Sequence, residues 1–413
     1  MRNSQKRNNT APAKSPIESK RMLEVLWVSC RLGLTSFGGP IAHLGYFHEE
    51  YVVRRKWLDE RSYADLVALC QFLPGPASSQ VGIGIGIARA GLIGGLVAWL
   101  GFTLPSAIAL TAFAYGVSAL GDTTGAGWLH GLKVVAVAVV AQAVWAMAGK
   151  LCPDRQRATL AILASIVTLT WPTASGQVLS IACAALIGWL FLSAEGTPSV
   201  VHIRFPIRPV IGIASWVLFF VLLLGLPLLR QLHPAHALEV FDSFYRVGSL
   251  VFGGGHVVLP LIQAEVVGPG WVSTEQFVAG YGAAQAVPGP LFTFSAYLGA
   301  VMGPEPNGWV GALLGLVAIF LPSFFLITGA LPFWDSLRSR PGFQAALRGI
   351  NAAVVGLLLA ALYRPVWTSA ILTPGDFGLG LVMFALLVLW KWHPWLVVLV
   401  SALAGELLAQ FSS

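Results

Sequence analysis

Apolar runs of about the 20 residues that a helix needs to cross a bilayer recur from Met22 almost to the C-terminus of this chain. Only 10% of its 413 residues are charged and 56% are hydrophobic, with a mean hydropathy of +0.75. A soluble domain carries about 25% charged residues, so a water-soluble globule is excluded, and a nucleic-acid-binding body with it. A transmembrane barrel would alternate polarity over segments of about 10 residues, a pattern absent here. The expected fold class is an all-α polytopic membrane protein.

The net charge of +7 does not describe a basic surface. Arg2, Lys6, Arg7, Lys14, Lys20 and Arg21 against Glu18 place +5 of it in residues 1–21. That stretch is Asn/Ser/Pro-rich and has no apolar run of its own, so it is expected to be a disordered cytoplasmic leader, not a cleaved signal peptide. Cys30, Cys70, Cys152 and Cys183 are scattered singly, which suits buried small residues better than a metal or redox site. No metal and no cofactor are expected.

The chain matches itself. Gly33-Leu34-Thr35-Ser36-Phe37-Gly38-Gly39 aligns with Gly248-Ser249-Leu250-Val251-Phe252-Gly253-Gly254 at an offset of 215. Trp57, Gln71 and Pro74-Gly75-Pro76 fall on Trp271, Gln285 and Pro288-Gly289-Pro290 at 214, and Leu104-Pro105-Ser106 falls on Leu321-Pro322-Ser323 at 217. Motifs kept in one order over such a distance indicate duplicated halves. The division is 1–21 leader, 22–195 first half, 196–237 linker with one transmembrane helix, and 238–413 second half.

Cytoplasmic loops carry the Lys/Arg excess, which puts Arg54-Arg55-Lys56, Arg89 and the stretch from Lys150 to Arg157 inside, and Glu265, Glu275 and Asp376 outside. This arrangement makes 22–52 and 61–88 dip into the membrane and return, while 90–119, 129–149, 158–172 and 177–193 cross. The linker helix, 210–229, then starts the second half on the opposite side. The halves are expected to be inverted, with about nine full spans plus re-entrant hairpins, or 13 spans if every segment crosses. The N-terminus lies inside and the C-terminus outside in either count.

Pro-Gly-Pro inside an apolar segment removes two backbone donors, so no continuous helix passes it. Unpaired backbone in a bilayer costs several kcal/mol per group and is tolerated only in packed protein or along a cavity. Helix starts created by such breaks present amide groups to anions. The candidate substrate-binding residues are therefore Phe37, Gly38, Gly39, Pro40, Gln71, Pro74, Gly75, Pro76, Ser78 and Ser79 in the first half. In the second they are Phe252, Gly253, Gly254, Gly255, His256, Gln285, Pro288, Gly289, Pro290 and Thr293. Gln80 and Ser295 follow the two triplets as further polar donors. The competing reading is that Gly and Pro only kink the helices.

Charges within the apolar body are candidates for charge or proton coupling. Arg31 lies one turn before the first break, where it neutralises an anion or snorkels to the surface. Lys133 sits near a helix end and Asn351 occupies its place in the second half, while His256 follows three glycines. Gly82, Gly86, Ala90 and Gly94 read as a small-residue packing stripe on one helix face. No P-loop, H-E-x-x-H or G-x-S-x-G motif occurs, so neither ATP hydrolysis nor membrane enzymology is expected.

Gly38-Gly39, Val52, Trp57, Pro74-Gly75-Pro76, Gly86 and Gly94 together resemble the signature of the chromate ion transporter (CHR) family, and the recurrence of the breaks extends the resemblance over the full bidomain length. Two departures occur in the second half: Val267 stands three residues before Trp271, and Ala300 replaces the first later glycine. The resemblance implies a bacterial inner-membrane protein that exports chromate and confers resistance. The residues alone reach only a small oxyanion moved by secondary transport in a lipid bilayer. Sulfate, anion exchange, protons as coupling ion, an uncoupled channel, a membrane scaffold and a homo-oligomer all stay open.

Overall fold

The computed structural model describes residues 16–37, 39–119, 127–192, 207–251, 258–333 and 340–412. Among them the chain is helical throughout, without strands. The basic leader lies outside the described residues up to position 15; its last residues already belong to the first helix, α1 (Pro16–Thr35).

The described helices on either side of the Gly/Pro breaks fold back on one another. Helix α2 (Gly39–Phe47) runs on through a π-helical turn, His48–Arg54, and returns along α1, where the Ser29 and Tyr51 hydroxyls meet at 3.3 Å. Helix α3 (Glu60–Phe72) ends at Pro-Gly-Pro, and α4 (Ala77–Ala119) starts beyond it and lies against α3, with Leu66 packed on Gly84. In the second half α9 (His236–Leu250) and α10 (Val258–Val266) form the first such pair, tied by Ser243 Oγ donating to Glu265 at 2.5 Å. The second pair is α11 (Thr274–Ala284) with α12 (Phe294–Val301), closed by Tyr297 OH donating to the Gln276 carbonyl at 3.1 Å. Helices α3 and α11 share their start signal: Asp59 and Ser273, 214 residues apart, each accept from a backbone N–H of the first turn.

The small-residue stripe is not on one helix face. Ala90 and Gly91 leave helical geometry, and α4 reverses there, so that Gly86 faces Gly94 across the turn; a Cβ on either would collide with the other's carbonyl oxygen. The stripe is packing, as its composition indicates, but between two antiparallel arms. Arg89 sits at the reversal and donates to Glu24 of α1 at 3.0 Å. In the second half Gly299 meets Gly311 of α13 (Gly308–Ala330) in the same way. The glycine missing at Ala300 is thus supplied one residue earlier. A 3-10 turn, Leu291–Thr293, precedes α12, whereas α4 starts directly after Pro76. The tighter winding shifts the helical phase.

The remaining helices exchange partners between halves. Helix α5 (Gly127–Leu151) packs on α15 (Pro374–Val388) and α16 (Pro394–Ser412), while its counterpart α14 (Pro341–Ala361) packs on α6 (Arg155–Thr170) and α7 (Ala174–Phe191). Glycines allow these approaches: a Cβ on Gly349 would collide with the Ala184 carbonyl, and one on Gly131 with the Ser401 carbonyl. Between the halves runs α8 (Pro209–Leu232), the least buried of the long helices, with Val210 and Leu232 each 74% exposed. A face so apolar and so open suits lipid. By length and composition Ala77–Val117, Gly127–Gly149, Pro209–Leu232, Gly308–Phe333 and Pro341–Ala370 are membrane-crossing candidates, the first containing the reversal. The protein is a multi-pass helical membrane protein.

Replacing Gly349 by Val forces α14 off α7. It is expected to cost about 1–3 kcal/mol, the usual price of overpacking, read as a lower unfolding midpoint in detergent. Gly225→Ala on α8, where nothing lies within 4 Å, is expected to leave the midpoint level or raise it slightly, since Ala is the better helix former.

Candidate functional site

Each Pro-Gly-Pro break is closed by the opposite half. The Gly75 N–H donates to the Val251 carbonyl at 2.6 Å, and the Gly289 N–H donates to the Ser36 carbonyl at 2.9 Å. Ser36 and Val251 are equivalent positions in the repeat. Both triplet glycines adopt positive φ, +110° and +103°, a region that a side chain strains. A Cβ on Gly75 would lie 2.8 Å from Ser323 Oγ, and one on Gly289 would lie 2.8 Å from Ser106 Oγ. The Leu-Pro-Ser serines therefore also cross over. First-half Pro-Gly-Pro meets the second half's break and serine, and the reverse holds with the same residue types.

Around this interlock the polar side chains are buried and short of partners. Ser36 Oγ, Ser79 Oγ, Gln80 Oε1, Thr103 Oγ1, Gln285 Nε2, Ser295 Oγ and Ser323 Oγ are buried without a hydrogen-bond partner. Others are engaged locally. Gln80 Nε2 donates to the Pro74 carbonyl at 2.6 Å, Thr293 Oγ1 to the Pro290 carbonyl at 2.7 Å, and Ser106 Oγ to the Thr103 carbonyl at 3.1 Å. The His43 Nδ1 is 3.3 Å from Ser78 Oγ and its buried Nε2 has no partner. An unpaired buried polar atom costs about 1–3 kcal/mol. These seven, carried by the segments of the two breaks and of the Leu-Pro-Ser motifs, are desolvated donors and acceptors that a polar guest would satisfy.

Most candidates from the sequence gather here. Gly39, Gln285 and Gly289 line one small cleft together with Ala284, Val287, Leu291 and Pro394. Phe37 stands beside it, its ring 6.0 Å from that of Trp395. Pro74, Gly75, Pro76, Ser78 and Ser79 form the first break and the first turn of α4, and Pro288, Gly289, Pro290 and Thr293 the second. Pro40 is half-buried in the first turn of α2, whereas Gln71 is exposed near the end of α3, unlike its counterpart Gln285. Gly38, Phe252, Gly253, Gly254, Gly255 and His256 lie outside the described residues. Sequence reasoning passed over Ser36, Thr103, Ser106 and Ser323, although the repeated Leu-Pro-Ser had already marked the last two.

The charges behave differently from one another. Arg31 neither faces an anion alone nor snorkels freely: it pairs with buried Glu50, which also accepts from Arg55 Nε at 2.6 Å. Lys133 is half-buried on α5 and has no ion-pair partner among the described residues. No group of three metal-ligating side chains occurs among the described residues.

The sequence model of the family described as "Chromate transporter" matches residues 23–189 and again 238–406. The chain belongs to the chromate transporter family. It is a transporter and not an enzyme. Among curated relatives, the chromate transport protein of Pseudomonas aeruginosa is 27% identical over 387 residues, covering 91% of this chain and 89% of the relative. The chromate transport protein of Cupriavidus metallidurans is 26% identical over 371 residues, 87% and 86% of the two chains. A shorter relative, an uncharacterized transporter of Bacillus subtilis, is 26% identical over 184 residues, which is 42% of this chain but 98% of its own length. No solved structure matches the chain.

For this family member, Ser79→Ala and Ser295→Ala are expected to separate stability from binding. Each removes an unsatisfied buried hydroxyl, so thermal unfolding in detergent stays level or rises slightly, while chromate binding measured by calorimetry weakens about tenfold or more. A drop in stability with unchanged binding would make the hydroxyls structural.

Proposed function

We propose that this protein is a secondary transporter that moves chromate out of the cytoplasm across a bacterial inner membrane and so gives chromate resistance. The observation that carries the reading is the reciprocal closure of the two Pro-Gly-Pro breaks around unpartnered buried hydroxyl and amide groups. Helix starts at α4 and α12 add amides with partial positive charge. A tetrahedral oxyanion has acceptors in several directions and suits the hydroxyl and amide donors among these groups. Two curated relatives with near full-length coverage are named chromate transport proteins, which favours chromate over its look-alike, sulfate.

The same reading takes the halves as inverted repeats. Four fold-back segments contribute no net crossing, and the second arm of α4 with α5, α6 and α7 contributes an even number. The single helix α8 then starts the second half on the other side, for nine full spans. With the N-terminus inside, as the Lys/Arg-rich loops direct, the binding region lies between two oppositely oriented bundles, the arrangement alternating access requires. An inside-negative potential drives a dianion outward by about 2.3 kcal/mol per charge per 100 mV. Proton coupling is therefore not required for export.

Everted membrane vesicles test this. Labelled chromate is expected to accumulate inside them when the potential is imposed, and Gly289→Ala, which strains the backbone and crowds Ser106, is expected to abolish accumulation. Uptake of sulfate but not chromate would assign the protein to sulfate; uptake that follows the potential but does not saturate with chromate concentration would make it a channel.

A further inference from the structure

The repeat that aligns the glycine breaks also aligns charges. At the offset of 215, Arg31 falls on Arg246 and Glu50 falls on Glu265. Both couples are joined in space. Arg31 on α1 pairs with Glu50 on the returning π-helical turn, and Arg246 on α9 reaches Glu265 on α10 at 3.6 Å. In each half the arginine precedes by five residues the position, Ser36 or Val251, whose carbonyl receives the other half's Pro-Gly-Pro glycine. Five residues of helix rise about 7.5 Å. Each pair therefore stands one and a half turns from the central polar cluster, on the hairpin that leads to it.

Neither carboxylate depends on its arginine alone for a partner. Glu50 already has Arg55 at 2.6 Å and Arg54 at 3.6 Å, and Glu265 accepts from Ser243 Oγ at 2.5 Å. Arg246 is shared with Asp242, which has Arg230 as a second partner at 3.2 Å. Arg246 also keeps a buried Nε without a partner. Glu50 is buried, its side chain 5% exposed, and Glu265 is nearly so at 10%, while Arg31 is 41% and Arg246 27% exposed, so each guanidinium is more open than the carboxylate it holds. A buried ion pair adds little net stability over apolar packing, which makes its repetition in both halves hard to attribute to folding.

We propose that Arg31–Glu50 and Arg246–Glu265 are two equivalent oxyanion-docking sites, one on each approach to the central cluster, where the resident carboxylate holds the place that the transported dianion takes on the arginine. The guanidinium fork offers parallel N–H donors that fit a carboxylate and a tetrahedral oxyanion alike. The dianion displaces the glutamate on arrival, and the glutamate re-forms the pair as the dianion moves inward, so the arginine never stands uncompensated. The inference rests on the oxyanion-transport reading above and adds the two docking positions to it. With inverted halves, Arg31 serves the cytoplasmic mouth and Arg246 the opposite one.

The test is chromate transport by purified protein in proteoliposomes, with the half-saturating concentration measured from each face. Glu50→Gln keeps the shape and removes the competing charge. It is expected to lower the half-saturating chromate from the cytoplasmic face roughly tenfold, the order of one charge-assisted hydrogen bond, with a lower maximal rate and no change from the other face. Glu265→Gln is expected to do the same from the opposite face only. Arg31→Lys, which retains charge but loses the fork, is expected to raise the cytoplasmic value and leave the other alone. Half-saturation unchanged on both faces in all three variants, with only rate or yield altered, would make the pairs structural clips and overturn the proposal. Wild-type protein that moves no tetrahedral oxyanion would instead overturn the transport reading, and the docking sites with it.

Discussion

Two backbone hydrogen bonds, Gly75 N–H to Val251 and Gly289 N–H to Ser36, hold the rest of the structure to its plan. Pro-Gly-Pro interrupts a helix where neither water nor lipid readily supplies a partner, and each interruption finds its acceptor on the other half. Neither half alone contains both partners of either bond. The same dependence recurs outside the centre, where α5 lies on α15 and α16 while α14 lies on α6 and α7. Fusion of two similar bundles is thus written into the packing, through glycines such as Gly131, Gly282 and Gly349 that bring one half's backbone against the other's.

What the interlock does not satisfy matters as much as what it does. The Gly75 and Gly289 N–H groups are paired, yet Ser36, Ser79, Ser295 and Ser323 are left buried with idle hydroxyls. A core selected for stability alone would fill these positions with Ala or pair them. Polar atoms held desolvated and unpaired are instead what a site needs if an anion is to exchange its hydration for protein donors without first breaking protein hydrogen bonds. The ionic couples one and a half turns away have the complementary property: their carboxylates are paired at rest, and in each couple the arginine is the more exposed partner. On the account given above, an oxyanion passes from a place where it must compete with a carboxylate to one where it meets no competitor.

Much of this was legible in the residues. Proline chemistry marked both triplets, and the spacing of Phe-Gly-Gly, Trp and Pro-Gly-Pro showed that they recur. Their cross-half partners were not legible, because Ser36 and Val251 have nothing in common as residue types except their place in the repeat. Arg31 and Arg246 were open to detection, since the same offset aligns them, but attention to glycine and proline left the charged match unread. The stripe from Gly82 to Gly94 misled because the reversal at Ala90–Gly91 lies in an apolar run without proline; Arg89, a charge at the turn, was the better guide. The second half's glycine was displaced to Gly299 by a 3-10 turn whose tighter winding no alignment of letters displays.

The central claim is that the reciprocal breaks enclose the place where the oxyanion binds. Locating chromium by its anomalous scattering in crystals grown with chromate tests it most directly. The account requires a peak within hydrogen-bonding distance of the hydroxyls that are now unpartnered, Ser79 and Ser295 among them, and next to the turns at Gly75 and Gly289. A peak elsewhere in the bundle, with those hydroxyls still unpaired, would contradict it.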